Sequence, residues 1–227
     1  MSLDWTSIRQ GLDADGFATT GPLLDAETCQ ALAALYDGPG FRNRVVMARH
    51  NYGSGEYKYF SYPLPPAVAE MRATLYPALA GIANAWAERL GRSQRYPARL
   101  DAYLAQCHAA GQQKPTPLLL RYGPGDYNCL HQDLYGEKVF PLQATILLSA
   151  PGRDFQGGEF VLVEQRPRAQ SKPSVVPLVQ GEAIIFAVRE RPVRGSRGDH
   201  RTMLRHGVSR IRSGQRVTLG LIYHDAS

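Results

Sequence analysis

The sequence predicts an α+β fold in which helices of the first half buttress a β-sandwich built by the second. Three observations predict it. Helical periodicity lies before Ala109, five short β-rich runs follow, and Gly, Pro and Asp punctuate those runs at the intervals of an antiparallel sandwich or barrel.

Taken in order, Met1-Ser2-Leu3-Asp4-Trp5 offers no basic segment followed by an apolar one, so a secretory signal is not expected. Leu23-Leu24 is a short apolar step, and Asp25 stands where an N-cap belongs. Apolar residues then recur at helical spacing to Tyr36, until Gly38-Pro39-Gly40 stops the helix. Phe41 to Tyr62, rich in Arg, Tyr and Gly, reads as strand and loop close to a site. A second helix is expected from near Pro66 towards Leu90, ended by Gly91. Pro77 should bend or break it, because proline lacks the N–H and clashes with the preceding turn. A third covers roughly Ala98 to His108. The β-rich runs are Pro117–Tyr122, Leu142–Ser149, Glu159–Glu164, Ala183–Val188 and Val217–Tyr223.

With 227 residues, 44% of them hydrophobic, the chain can bury a core that needs no staples. No apolar run approaches the roughly 20 residues that span a bilayer, and no membrane association is expected. Cys29, Cys107 and Cys129 are odd in number and far apart, which suits a reducing compartment; no CxxC pair marks a structural zinc site. The cytoplasm is the expected address. The formal net charge is +6 and is concentrated. Arg189, Arg191, Arg194, Arg197, Arg201, Arg205, Arg210, Arg212 and Arg216 share their stretch with only Glu190 and Asp199. Such a block either attracts a polyanion such as nucleic acid or is a solvated loop whose arginines pair with acids elsewhere.

His131-Gln132-Asp133 is the strongest local feature. On an extended segment, residues i and i+2 project from one face, so imidazole and carboxylate reach one ion. One carboxylate and two imidazoles form the facial triad of non-haem Fe(II), which leaves positions open for co-substrate and oxygen. The second histidine is His206 or His200. His200 lies in a mobile basic loop, Arg197 to Arg201, whereas His206 precedes Gly207-Val208 and the strand of Arg216, so His206 is preferred. His50, His108 and His224 read as surface or core histidines, although His224 ends a strand and could approach the site. Cys129 reads as a small buried packer rather than a ligand. Gly157-Gly158 reads as a tight turn, since no helix with a Lys-Ser/Thr follows to cradle phosphate.

Tyr122-Gly-Pro-Gly-Asp-Tyr127 stands just ahead of His131-Gln-Asp133. Gly157-Gly158-Glu159 and Gly181-Glu-Ala-Ile-Ile-Phe186 follow, and His206-Gly-Val208 with Arg216-Val-Thr218 closes the series. From about Leu118 to Tyr223 this order resembles the 2-oxoglutarate- and Fe(II)-dependent oxygenases of the prolyl-hydroxylase type, with a weaker likeness from Asp15-Gly-Phe17 to Asp25. The resemblance implies a double-stranded β-helix (jelly-roll, cupin-like) core with N-terminal buttressing helices. It implies one oxygenase domain over 1–227, with mainly helical support at 1–116 and the catalytic jelly roll at 117–227. It further implies Fe(II) held by His131, Asp133 and His206, with O2 and 2-oxoglutarate filling the open positions and ascorbate sustaining activity. The far carboxylate of 2-oxoglutarate would lie on Arg216, which can grip it bidentately. Thr218, on the same strand face, and Tyr122 would assist; Tyr122 reads equally well as a core aromatic.

For the substrate, His206-Gly-Val-Ser, Gly214-Gln-Arg-Val-Thr-Leu-Gly and Tyr223-His-Asp are similar to a small bacterial branch predicted to demethylate damaged nucleic acid oxidatively. The Arg189–Arg212 region would then meet phosphates. A base-directed enzyme needs a stacking side chain, for which Tyr52, Tyr57, Tyr59, Phe60 and Tyr135 are candidates. The sequence departs from AlkB-type demethylases in the short spacing between His206 and the arginine. That spacing is closer to prolyl hydroxylases, which usually offer lysine there. Peptidyl (prolyl-type) hydroxylation of a protein, with the basic region meeting an acidic partner, is therefore the alternative. A non-catalytic basic binding module would have no reason to keep His131, Asp133, His206 and Arg216 together. A zinc hydrolase could use two histidines and an aspartate, but gives Arg216 no role.

Overall fold

The computed structural model describes residues 3–166, 169–196 and 198–227; Arg197 of the basic stretch lies outside the described residues. The chain opens with a helix that the sequence pattern did not reveal, α1 (Trp5–Asp15). The Asp4 carboxylate caps it by accepting from the Thr6 and Ser7 N–H groups at 3.1 and 3.0 Å. Strand β1 (Phe17–Pro22) leads to α2 (Ala26–Ala34), opened as expected by Asp25, which accepts from the Thr28 N–H at 2.7 Å. Then come β2 (Phe41–Val46), β3 (Gly53–Ser54), β4 (Glu56–Phe60), α3 (Pro66–Arg89) and α4 (Leu100–Ala109). Helix α3 runs through Pro77 unbroken, which corrects the expected break. Leu75, Tyr76, Leu79 and Ala80 around it are buried in the core. Their packing outweighs the cost of an internal proline, about 3 kcal/mol.

The second half supplies β5 (Leu118–Tyr122), β6 (Tyr127–His131), β7 (Leu142–Leu147), β8 (Phe155–Gly157), β9 (Phe160–Gln165) and β10 (Lys172–Val176). It continues with β11 (Glu182–Ala187), β12 (Glu190–Gly195), β13 (Gly198–Val208), β14 (Ile211–Gly214) and β15 (Arg216–Leu221). The larger sheet has seven strands in the order β1-β11-β7-β15-β5-β4-β2; the smaller runs β10-β9-β13-β6-β3, with β12 paired to β13. The fold is a double-stranded β-helix with buttressing helices. Strands β7 and β15 are buried at every position and β11 at all but one. That is the signature of a sheet covered on both faces, here by helices and by the smaller sheet. Strands β1, β2 and β4 join this sheet from the first half, so helical support and β core interleave along the chain.

The basic stretch is a hairpin rather than a mobile loop. Strand β12 pairs with β13 from Glu190↔Met203 to Gly195↔Gly198. Thr202, Leu204 and His206 are buried while Arg201 and Arg205 are exposed, so period-2 alternation turns the cations outward. No helix among the described residues is long and apolar enough to cross a membrane.

Candidate active site

Antiparallel pairing of β6 with β13 places His131 directly opposite His206. The register shifts just beyond, before Val208↔Asn128, and Gly207 sits there. A Cβ on Gly207 would lie 2.6 Å from the Asn128 carbonyl oxygen, so glycine permits this close approach of the strands. Asp133 follows the end of β6, and one ligand atom from each of His131, Asp133 and His206 lies within 4.8 Å of the others. His131 Nε2 is 3.5 Å from Asp133 Oδ1, and His206 Nε2 is 3.3 Å from Oδ2. The three could hold one metal ion, and a carboxylate with two imidazoles is the donor set that suits Fe(II).

The surroundings hold these groups differently. His131 Nδ1 lies 2.7 Å from the Cys129 carbonyl, a contact in which the ring donates and leaves Nε2 bare. His206 is fixed by packing: Phe160 stacks on it at 5.9 Å, Phe186 tilts against it at 4.6 Å, and its Nδ1 has no partner among the described residues. The Tyr135 hydroxyl donates to Asp133 Oδ1 at 2.7 Å. Burial alone would raise the Asp133 pKa, but the two imidazoles beside it hold it well below the usual carboxylate range. Burial, and then the His131 charge, lower the His206 pKa.

The cluster opens into a cavity of about 450 Å³ between the sheets. Its far wall is the inner face of the larger sheet, where alternate residues of adjacent strands line it: Leu118, Leu120 and Tyr122, then Gln143 and Thr145, then Arg216 and Thr218. Arg216 pairs across strands with Tyr122, whose ring lies 5.8 Å from the guanidinium carbon. Arg216 is 1% exposed, and its Nε and Nη1 have no partner among the described residues. Burial lowers its pKa to about 10, against the pull of Tyr122 and Glu159. The Tyr122 hydroxyl accepts from the Asn128 amide at 3.3 Å. A buried guanidinium without an acid partner is a place where an anion would be stabilised. Gly157 and Gly158 do form a turn, at φ 76° and 66°; a Cβ on Gly158 would lie 2.9 Å from Arg216 Cδ.

Other expectations divide. Tyr52, Tyr57 and Tyr135 line the cavity, with Tyr52 half exposed at its mouth. Tyr59 is buried beneath Arg42, and Phe60 stacks on Phe41 at 4.8 Å, so both belong to the packing. Cys129 is exposed, not the buried packer expected, because its strand forms the rim. His200 lies six residues up β13 from His206, about 20 Å of extended chain. His224 is buried against the Tyr135 ring, its Nδ1 accepting from the Phe140 N–H at 3.2 Å; His108 contacts Asp225, and His50 stacks on Tyr52. Gln143 and Thr145 escaped sequence reasoning. The available signal was two polar residues at alternate positions of an otherwise apolar strand.

Comparison with known proteins fixes the family. The model of the Oxygenase-NA family, described as an oxygenase catalysing oxidative methylation of damaged DNA, matches residues 55–226. The chain belongs to that family. This Oxygenase-NA member is 54% identical over 168 residues to the uncharacterized proteins MT2286 and Rv2227 of Mycobacterium tuberculosis, covering 74% of this chain and 72% of each of them. Its fold is similar to a Pseudomonas putida prolyl-4-hydroxylase (15% identity, 98% and 99% of the two chains, TM-score 0.56). It is equally similar to a 2OG-Fe(II) oxygenase of Burkholderia pseudomallei (16% identity, 98% and 93%, TM-score 0.56). The Oxygenase-NA member is thus an oxygenase by family and has the fold of 2OG-Fe(II) oxygenases.

Proposed function

We propose that this dioxygenase removes alkyl groups from damaged nucleic acid, with His131, Asp133 and His206 holding Fe(II) and Arg216 holding the far carboxylate of 2-oxoglutarate. The observation that carries the site assignment is one cavity with a metal-ready cluster at one end and a buried, unpartnered arginine at the other. Bound iron and 2-oxoglutarate supply the oxidising power: O2 is consumed, the co-substrate leaves as succinate and CO2, and one oxygen atom enters a substrate C–H bond. On an N-methyl group that insertion gives a hydroxymethyl amine, which collapses to the free base and formaldehyde; oxidation therefore removes a methyl group rather than adding one. Arg216 would hold the far carboxylate of the co-substrate, which its guanidinium can grip with two charged hydrogen bonds, and Thr218 and Tyr122 line the same cavity. Tyr135 steadies Asp133. Tyr52 and Tyr57 present aromatic surface to a base entering from the mouth.

The deciding experiment measures succinate and formaldehyde release with Fe(II) and 2-oxoglutarate on a methylated single-stranded oligonucleotide and on its unmethylated twin. Release of both products with the methylated strand alone is expected. Equal, slow succinate release with both strands would leave the iron chemistry standing and transfer the search to peptidyl hydroxylation.

A further inference from the structure

Outside the cavity, the most conspicuous groups without a use are the outward cations of the hairpin. Arg191 is spent on a buried pair with Glu164 at 2.6 Å. The two acids of the stretch are also engaged, Asp199 by Arg89 at 2.9 Å and Glu190 by Arg92. Arg189 and Arg201 remain exposed with no acid partner among the described residues. Both line an open groove, of about 740 Å³, together with Gln165, Arg166, His200 and Met203.

This groove neighbours the active site through shared lining residues. It shares Arg189 with a cleft of about 480 Å³ that follows the 134–141 segment, and that cleft shares Leu134 with the catalytic cavity. Gln132, between His131 and Asp133, donates to the Leu204 and Arg189 carbonyls at 2.7 and 3.3 Å, tying the hairpin to the cavity rim.

We propose that this path, from the cavity mouth past Leu134 and Arg189 to Arg201 and Arg166, carries the phosphodiester backbone of a single strand whose modified base occupies the cavity. The inference rests on the nucleic-acid reading above. A base must leave its stack to enter such a cavity, so the flanking strand needs a bed of its own. The cleft sets Tyr96, Leu134 and Val139 beside two ion pairs, Arg92 with Glu190 and Lys138 with Glu137, and Arg166 is held by Glu164, so among the described residues Arg189 and Arg201 are the cations this path offers free. Two spaced, unpaired cations with apolar and aromatic surface along the way suit the alternating phosphates and bases of a single strand.

The test is fluorescence anisotropy with a short labelled single-stranded DNA oligonucleotide across a salt series, using wild type, Arg189→Gln/Arg201→Gln and, as a control just beyond β13, Arg210→Gln. Each phosphate contact contributes about 0.7 to the log–log salt slope, so the double variant should lose about 1.4 and on the order of twentyfold in affinity at about 0.1 M salt. Its anaerobic Fe(II)–2-oxoglutarate absorption band should match wild type, and Arg210→Gln should bind like wild type. A wild type that binds with a steep slope, beside a double variant with the same slope, overturns the track while sparing the nucleic-acid reading. A wild type without salt-dependent affinity sinks both. Displacement by poly-glutamate as effective as by unlabelled DNA would also overturn it, marking the groove as an acidic-protein surface.

Discussion

At one end of the catalytic cavity Asp133 is surrounded by partners, with His131 and His206 Nε2 at 3.5 and 3.3 Å and the Tyr135 hydroxyl at 2.7 Å. At the other end Arg216 is just as deeply buried, yet its Nε and Nη1 have no partner among the described residues. At the first end Asp133 is satisfied from the protein. The second keeps an unmet charge in a low-dielectric wall, where a missing counter-ion is costly. The contrast teaches that Asp133 is held by the protein's own groups, whereas Arg216 stands where a carboxylate ligand would balance its charge.

Substitutions at the two ends test that contrast. Asp133→Ala should abolish Fe(II) binding and iron-dependent succinate release while leaving a folded protein, judged by circular dichroism and metal titration. Full iron affinity in that variant would remove Asp133 from its proposed role. Arg216→Ala should weaken 2-oxoglutarate binding about a hundredfold, since two charged hydrogen bonds at about 1.5 kcal/mol each are lost. Iron affinity should barely move, and Arg216→Lys should recover only part of the loss, because a point charge cannot grip both oxygens. Normal 2-oxoglutarate affinity in Arg216→Ala would collapse the contrast between the ends.

Tyr135→Phe is a smaller perturbation. It removes one hydrogen bond to a proposed ligand, and outer partners of this kind contribute roughly tenfold to metal affinity. Metal titration should show that loss with 2-oxoglutarate affinity intact; an unchanged iron affinity would mean that the two imidazoles alone fix Asp133. His200→Ala should leave iron affinity within about twofold of wild type, given its distance along β13. Loss of iron there, with His206→Ala unaffected, would show that the wrong histidine had been chosen.

Much of this was legible in the sequence, for reasons that differ from residue to residue. Asp25 announced α2 because a carboxylate cap acts on N–H groups two or three residues away. The alternation in β15 put Arg216 and Thr218 on one face because side-chain direction in a strand has a period of two. Helix α1 went unseen because its buried face is only Ile8 and Leu12, too short a stripe to register as periodicity. Pro77 does not break α3, because the packing around it overrides its local propensity.

What the sequence by itself determined, then, is local: caps, strand alternation, the His131–Asp133 pair and the excess of arginine between residues 189 and 216. Tertiary structure decided everything that depends on which strands become neighbours. The β6–β13 register set His206 rather than His200 opposite His131. The pairing of β5, β15 and β7 gathered Tyr122, Arg216, Gln143 and Thr145 onto one wall. The β12–β13 hairpin turned a run of arginines into buried Arg191 and outward Arg189 and Arg201. Strand pairing joins residues far apart in the chain through backbone hydrogen bonds that any sequence can make, so its register is written in the packing of the whole core.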